Sequence, residues 1–164
     1  MKQVLFLCSG NYYRSRYAEE LFNALARQRG LEWRAGSCGL QLSAGNVGPV
    51  SCHTDSALER AGITGNDWRP PRAVTEADLQ AADVIVAVKE REHRAMLVRS
   101  FPDYLERVEF WHVHDLDCAA PEETIADLER RVLDLIERLT ALAPTAIATT
   151  ATAAETEPCP VAGR

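Results

Sequence analysis

A short loop near the N-terminus combines residue types that can attack a phosphate ester. Cys8 offers a thiol, and Arg14, six positions later, offers a planar guanidinium that can hold two phosphate oxygens at once. Ser15 follows directly and can donate its hydroxyl to the thiolate, and later to the departing sulfur. The loop therefore predicts a nucleophile, an oxyanion cradle and a charge clamp, which suit a reaction through a cysteinyl-phosphate intermediate.

The residues around this loop predict a strand before it and a helix after it. Residues 4–7 form a short apolar run, typical of a strand buried on both faces. Gly10 and Asn11 tolerate left-handed backbone conformations, and Gly30 ends the predicted helix. The loop amides should thus lie at a helix N-terminus, where unpaired N–H groups and the helix dipole attract anions. Helical spacing connects the apolar residues of that helix, Ala18, Leu21, Phe22, Leu25 and Ala26.

Residues 4–22 resemble the opening of the low-molecular-weight protein tyrosine phosphatases, whose loop reads Cys-x-Gly-Asn-x-Cys-Arg-Ser-Pro. Five positions match that loop: Cys8, Gly10, Asn11, Arg14 and Ser15. Two positions depart from it, because Tyr13 replaces the second cysteine and Arg16 replaces the proline. The side chain of Arg16 either adds positive charge beside the pocket or is simply exposed.

The resemblance implies that Cys8, Arg14 and an aspartic acid form the catalytic set. The family carries Asp-Pro in the loop after a strand that often ends Trp-x-Val-x, and this register makes Asp115 the general acid. Leu116 stands where the proline belongs, so Asp117 stays open as an alternative acid. The same carboxyl group would then act as the base for the water that hydrolyses the intermediate.

The whole loop is expected to contact the substrate through Ser9, Gly10, Asn11, Tyr12, Tyr13, Arg14 and Ser15. Tyr12 and Tyr13 are candidate aromatic walls of the pocket, because the two tyrosines that the family often carries after its acid are absent here. For Tyr12, simple surface packing is the equal alternative. By resemblance, Ser37 supports the loop through Asn11, and Ser15 supports it from the helix side.

Alternating strands and helices predict an α/β fold, a three-layer sandwich with a four-stranded parallel sheet in the order 2-1-3-4 and helices on both faces. Ligands of such sheets bind at the carboxyl ends of the strands. We expect a phosphatase domain over residues 1–144 and a flexible tail rich in Ala, Thr and Pro over residues 145–164.

Several side chains outside the loop are interpreted as structural or solvated. Arg69 and Arg72 are assigned to solvated loop charge, and His93 to the exposed face of its helix. Thr54 or Asp55 is expected to cap a short helix that ends before Gly62.

Metal and cofactor binding are not expected from the sequence. His112 and His114 alternate on a predicted strand near Asp115 and Cys118, which makes a transition-metal site conceivable. No second ligand pair supports such a site, so the prediction is no metal and no cofactor.

Composition, net charge and cysteine count indicate which classes of protein the chain fits. The 164 residues are 46% hydrophobic and 26% charged with a net charge of −6, which indicates one globular domain and no nucleic-acid partner. The apolar run at the start is too short for a signal peptide, and no stretch approaches the ~18 apolar residues of a membrane span, so we expect a cytoplasmic protein without membrane contact. Five irregularly spaced cysteines favour one reactive thiol over a disulfide framework.

The leading functional prediction is a phosphatase for phosphotyrosine proteins or small aryl phosphates, acting as a monomer or weak dimer. An arsenate reductase that uses an external thiol is one alternative, because some relatives share this fold and loop. A non-catalytic module that docks phosphopeptides is another, although docking alone needs no nucleophile. Relatives that act on phosphoarginine typically carry Thr at the position of Tyr12, which makes that substrate less expected.

Overall fold

The structure, a computed structural model, describes residues 1–64 and 68–142. The predicted domain boundary at residue 144 and the tail after it lie outside the described residues. The elements in chain order are β1 (Lys2–Cys8), α1 (Arg14–Gln28), β2 (Trp33–Gly39), α2 (Cys52–Arg60), α3 (Glu76–Ala81), β3 (Val84–Ala87), α4 (Glu90–Ser100), a 3₁₀ helix (Pro102–Arg107), β4 (Val108–Phe110) and α5 (Pro121–Ala141).

The four strands form one parallel sheet in the order β2-β1-β3-β4, which confirms the predicted α/β class and strand order. β1 lies between β2 and β3, so it is paired along both edges. Because all strands are parallel, their carboxyl ends meet at one edge of the sheet. Cys8 is the last residue of β1 and therefore lies at the centre of that edge.

Side chains of β1 alternate between two separate apolar cores, as the pleat of a strand requires. Val4, Phe6 and Cys8 face the core formed with α1, α2 and α5. Leu5 and Leu7 face a smaller core formed with α3 and α4. The apolar run in the sequence thus results from burial on both faces, and the sheet is covered by helices on each side.

The helix α2 begins one turn earlier than the sequence suggests. Ser51 is its N-cap, and the Ser51 hydroxyl accepts a hydrogen bond from the backbone N–H of His53 at 3.3 Å. The prediction of Thr54 or Asp55 as the cap is therefore wrong. Thr54 is buried and donates its hydroxyl to the carbonyl of Tyr13 at 3.1 Å, which ties α2 to the loop after β1.

Along α5 an apolar stripe faces the larger core, and charged residues cover the remaining surface. None of the helices in residues 1–64 and 68–142 is both long and apolar enough to cross a bilayer.

Candidate active site

The loop between β1 and α1, residues 8–15, curves around the sulfur of Cys8. Asn11 has a left-handed backbone with φ of 49°, and its N–H donates a hydrogen bond to the Cys8 Sγ at 3.2 Å. Gly39 at the end of β2 allows the close approach of this loop, because a Cβ there would lie 2.8 Å from the Ser9 carbonyl oxygen. The cysteine is thus surrounded by backbone polar groups at the edge of the sheet.

Ser15 links the helix to the sulfur. Its Oγ lies 2.9 Å from the Cys8 Sγ and accepts a hydrogen bond from the Asn11 Nδ2 at 3.2 Å. Because the Ser15 oxygen already accepts a bond from the amide, its own hydrogen is free to point at the sulfur. The Cys8 sulfur thus has the Ser15 hydroxyl and the Asn11 N–H as hydrogen-bond partners.

Every hydrogen-bonding position of the Asn11 side chain is occupied. Its Nδ2 donates to the Oγ of Ser15 and, at 2.7 Å, to the Oγ of Ser37. Its Oδ1 accepts from the Nη1 of Arg69 at 3.0 Å and from the backbone N–H of Arg72 at 3.1 Å. A primary amide can make four such bonds, so the fully buried side chain is satisfied and holds the loop in place. The expected contact between Ser37 and Asn11 is present.

Arg69 is a structural part of the loop, and the interpretation as solvated charge is wrong for this residue. Its guanidinium binds Asn11, the Glu19 Oε2 at 2.8 Å, and the carbonyl oxygen and Oγ of Ser37 at 2.8 and 3.0 Å. Arg72 differs, since its half-exposed side chain forms a bidentate ion pair with Asp78 at 2.8 and 3.0 Å. Only the backbone of Arg72 reaches the loop.

Arg16 is buried, so the expectation of a simply exposed side chain at this departure from the family pattern is wrong. Its Nη1 donates to the carbonyl of Arg69 at 3.2 Å, and its guanidinium lies 5.9 Å from the centre of the Trp68 ring. Burial and the neighbouring Arg69 charge lower the pKa of Arg16. The residue therefore anchors the segment that carries Arg69, and through it supports Asn11.

The guanidinium of Arg14 is held from three directions and is only 2% exposed. Its Nη1 donates to the carbonyl of Val113 at 3.3 Å. Its Nη2 lies 3.3 Å from the Glu92 Oε2 and 2.5 Å from the Asp115 Oδ2. A cavity of about 320 Å³ is lined by Cys8, Arg14 and Asp115 together.

The two candidate acids lie in different surroundings. Asp115 contacts Arg14 and lines the cavity that contains Cys8. Asp117 is 65% exposed and lies 3.7 Å from the Lys89 Nζ, where it lines a different cavity of about 440 Å³. The larger cavity is lined by Cys118 rather than by Cys8 and Arg14, so the smaller cavity is the better candidate for chemistry, and its geometry favours Asp115.

Both tyrosines of the loop line the smaller cavity. Tyr12 is half-buried and donates its hydroxyl to the Val47 carbonyl at 2.6 Å. Tyr13 is almost fully buried, and its hydroxyl donates to the Pro121 carbonyl at 3.3 Å. Burial raises the pKa of Tyr13 to about 12, so its phenol stays protonated and neutral. Tyr12 is therefore the more accessible aromatic wall.

His93 is completely buried, and the prediction of an exposed side chain is wrong. Its Nδ1 accepts a hydrogen bond from the backbone N–H of Lys89 at 3.1 Å, which leaves the proton on Nε2 facing the Ser9 Oγ at 3.3 Å. Burial, reinforced by the Arg14 charge, lowers its pKa to about 4. The helical spacing to Leu97, four residues later and also buried, is the sequence signal that indicated this face.

The conceivable metal site does not assemble. Within residues 1–64 and 68–142 no three His, Cys, Asp or Glu side chains are arranged to hold a metal ion. His112 instead lies 3.3 Å from the Glu90 carboxylate.

A parallel α/β sheet with Cys-x5-Arg at the carboxyl edge of an inner strand is typical of cysteine-based phosphatases. The family model of the low molecular weight phosphotyrosine protein phosphatases matches residues 3–150. The chain belongs to this family of phosphatases, as the resemblance predicted.

Similar proteins agree with this assignment and differ in their named substrates. The chain is 30% identical to a protein-arginine-phosphatase of Bacillus subtilis over 105 residues, or 64% of this chain and 67% of that protein. It is 37% identical to the low molecular weight protein-tyrosine-phosphatase YfkJ of the same organism over 89 residues, or 54% and 56% of the two chains. The sequence match thus spans just over half of YfkJ.

Solved structures match over most of the fold. The YfkJ structure has a TM-score of 0.76 at 26% identity and covers 88% of this chain and 98% of its own. A low molecular weight protein tyrosine phosphatase from T. tengcongensis has a TM-score of 0.73 at 29% identity, with coverage of 84% and 99%.

Replacing Arg69 with alanine should lower kcat/KM for para-nitrophenyl phosphate about 10- to 100-fold, because Asn11 loses a bond and small displacements of reacting groups are costly. Arg34, exposed on β2, provides the matched control. Steady-state kinetics of both alanine variants, with circular dichroism to verify folding, checks this. Equal kinetics in the two variants would show that Asn11 holds the loop without Arg69.

Stability should fall in acid because of His93. Its pKa drops from 6.5 to about 4 on folding, so the unfolded chain binds more protons between these values. Stability present above pH 6.5 is therefore lost as the pH falls toward 4, by about 3 kcal/mol from this residue.

Urea unfolding at pH 7 and pH 4.5 measures this loss. His93→Gln keeps an N–H donor for Ser9 and removes the titration, so its pH dependence should be flatter. His112→Gln, at an exposed position, is the control. Parallel losses in wild type and His93→Gln would contradict the assignment.

Proposed function

We propose that this protein hydrolyses phosphotyrosine or related aryl phosphate monoesters through a cysteinyl-phosphate intermediate. The observation that carries the proposal is one shared cavity, in which the Ser15-bound thiol of Cys8 lies with Arg14 and Asp115. These side chains supply a nucleophile, a phosphate clamp and an acid in the same space.

In the first step the phosphate enters the loop and its oxygens take the donors of Arg14 and the loop amides. Asp115 then gives up its contact with Arg14, takes up a proton from solvent and turns to the leaving oxygen. The Cys8 sulfur attacks phosphorus as the phosphorus–oxygen ester bond breaks, and Asp115 gives its proton to the departing oxygen. The products are the free alcohol or phenol and a phosphorylated Cys8.

In the second step water attacks the phosphorus and the phosphorus–sulfur bond breaks. Asp115, now a carboxylate, takes the proton of the water. Ser15, which lies 2.9 Å from the sulfur, donates its hydrogen bond to the departing thiolate. Inorganic phosphate leaves and the loop returns to its starting state.

The cavity walls support an aromatic substrate. Tyr12 is fixed by its bond to the Val47 carbonyl, and Leu116, which is 46% exposed, lines the same cavity. An aromatic substrate ring can pack against Tyr12 in an offset or edge-to-face arrangement. Relatives are named for both tyrosine and arginine phosphatase activity, and of these two substrate classes we propose the aryl phosphates for this chain. A cytoplasmic location and a monomer or weak dimer likewise remain predictions.

Hydrolysis of para-nitrophenyl phosphate at pH 5 to 7 with chelator present tests the chemistry. We expect turnover by the wild type and none by Cys8→Ser, because the hydroxyl is a far weaker nucleophile than a thiolate. Phosphotyrosine and phosphoarginine peptides compared on the same enzyme then test the substrate class. A folded protein that hydrolyses none of these three substrates but reduces arsenate with an external thiol would refute the phosphatase proposal.

Asp115→Asn should lower kcat about 10²- to 10⁴-fold for phosphotyrosine, whose leaving group needs a proton. The loss should be smaller for para-nitrophenyl phosphate, since nitrophenolate leaves without help. Asp117→Asn is the matched control and should keep both rates. A larger loss in Asp117→Asn than in Asp115→Asn would transfer the acid role to Asp117.

A further inference from the structure

A row of alternating charges, formed by Lys89, Glu92 and Arg14, ends at the guanidinium that is proposed to bind the phosphate. The Lys89 Nζ is 3.1 Å from the Glu92 Oε1, and the Arg14 Nη2 is 3.3 Å from the Glu92 Oε2. The side chains of Lys89 and Arg14 are only 8% and 2% exposed. Glu92 therefore bridges two buried cations, one with each oxygen of its carboxylate.

The two carboxylates that hold Arg14 differ in what the proposed reaction requires of them. Asp115 must leave the guanidinium to reach the leaving oxygen, and the phosphate takes its place. Val113 offers Arg14 only a neutral carbonyl. Among the described residues, Glu92 is then the charged partner that stays with Arg14 through the reaction. A buried guanidinium without such a partner is free to follow the moving carboxylate.

Glu92 is itself fixed in position. Burial alone would raise the pKa of Glu92, but the hydrogen bond from Lys89 and the charge of Arg14 lower it below its usual value. The Ser9 hydroxyl donates to the Glu92 Oε2 at 3.4 Å, and His93, the next residue of α4, donates to that same hydroxyl. The carboxylate is thus ionised and tied to the loop as well as to Arg14.

We propose that Glu92, held by Lys89, is the positioning residue that keeps the Arg14 guanidinium oriented toward the phosphate. The inference rests on the proposed function, since it assigns Arg14 to the substrate phosphate. Glu92 does not touch the reacting atoms and acts through Arg14. Lys89 adds the charge that keeps the partly buried carboxylate of Glu92 ionised beside the anion site.

Electrostatics alone predicts the opposite effect of removing the Glu92 charge. The sign of the change in anion affinity therefore tests the positioning role. Removing a negative charge near an anion site should tighten the binding of any anion. Removing an orienting contact should weaken binding where geometry is strict. Orthovanadate, which adopts the five-coordinate geometry of the transition state on a thiolate, demands that geometry more than inorganic phosphate does.

The test compares Glu92→Gln with Glu90→Gln, the latter altering a surface ion pair with Arg94 on the same helix. Isothermal titration calorimetry measures the dissociation constants of orthovanadate and inorganic phosphate, and kinetics measures kcat. For Glu92→Gln we expect orthovanadate binding and kcat to weaken about tenfold or more, with less than about a threefold change for phosphate. Lys89→Met should change the same quantities in the same direction, and Glu90→Gln should match the wild type.

Tighter orthovanadate binding or an unchanged kcat in Glu92→Gln would overturn the positioning role. A wild type without turnover would reject the proposed function, while its orthovanadate constants would still decide the role of Glu92. Absence of orthovanadate binding to the wild type would overturn both proposals.

Discussion

The left-handed backbone of Asn11 is the constraint on which the site depends. The Asn11 N–H donates to the Cys8 sulfur, and for a residue other than glycine the left-handed conformation costs about 1–3 kcal/mol. Four side-chain hydrogen bonds offset the strain, each contributing about 1 kcal/mol. Because those bonds reach α1, β2 and the segment before α3, the geometry around the sulfur is a property of the whole domain.

The side chains at the two departures from the family loop, Arg16 and Tyr13, both form contacts with neighbouring segments. Arg16 is buried under the segment that carries Arg69, so the charge that replaces the proline becomes a second support for Asn11. Tyr13 fills the position of the second cysteine, with its hydroxyl on the Pro121 carbonyl and its own carbonyl holding Thr54. Both substituted side chains thus contact the elements that surround the loop.

A second set of contacts is formed by the charged side chains around Arg14. Arg14 has one carboxylate partner that the proposed reaction must release, Asp115, and one that it can retain, Glu92. Lys89 balances the retained partner, and a neutral His93 occupies the space beneath Ser9 without adding a third cation. In the proposed reaction Arg14 exchanges the Asp115 carboxylate for the substrate phosphate, while Glu92 keeps the orientation of the guanidinium.

The sequence by itself determined the strand, loop and helix that present Cys8, Arg14 and Ser15, because local apolar periodicity and residue spacing specify such elements. It also determined the parallel sheet, since strands and helices alternate along the chain. Only the tertiary structure decided that Arg69 supports the loop and that His93 is buried. It likewise placed Asp115 rather than Asp117 beside Arg14, and Glu92 behind it. The physical reason is that these contacts join side chains 58 to 101 positions apart, which no local pattern specifies.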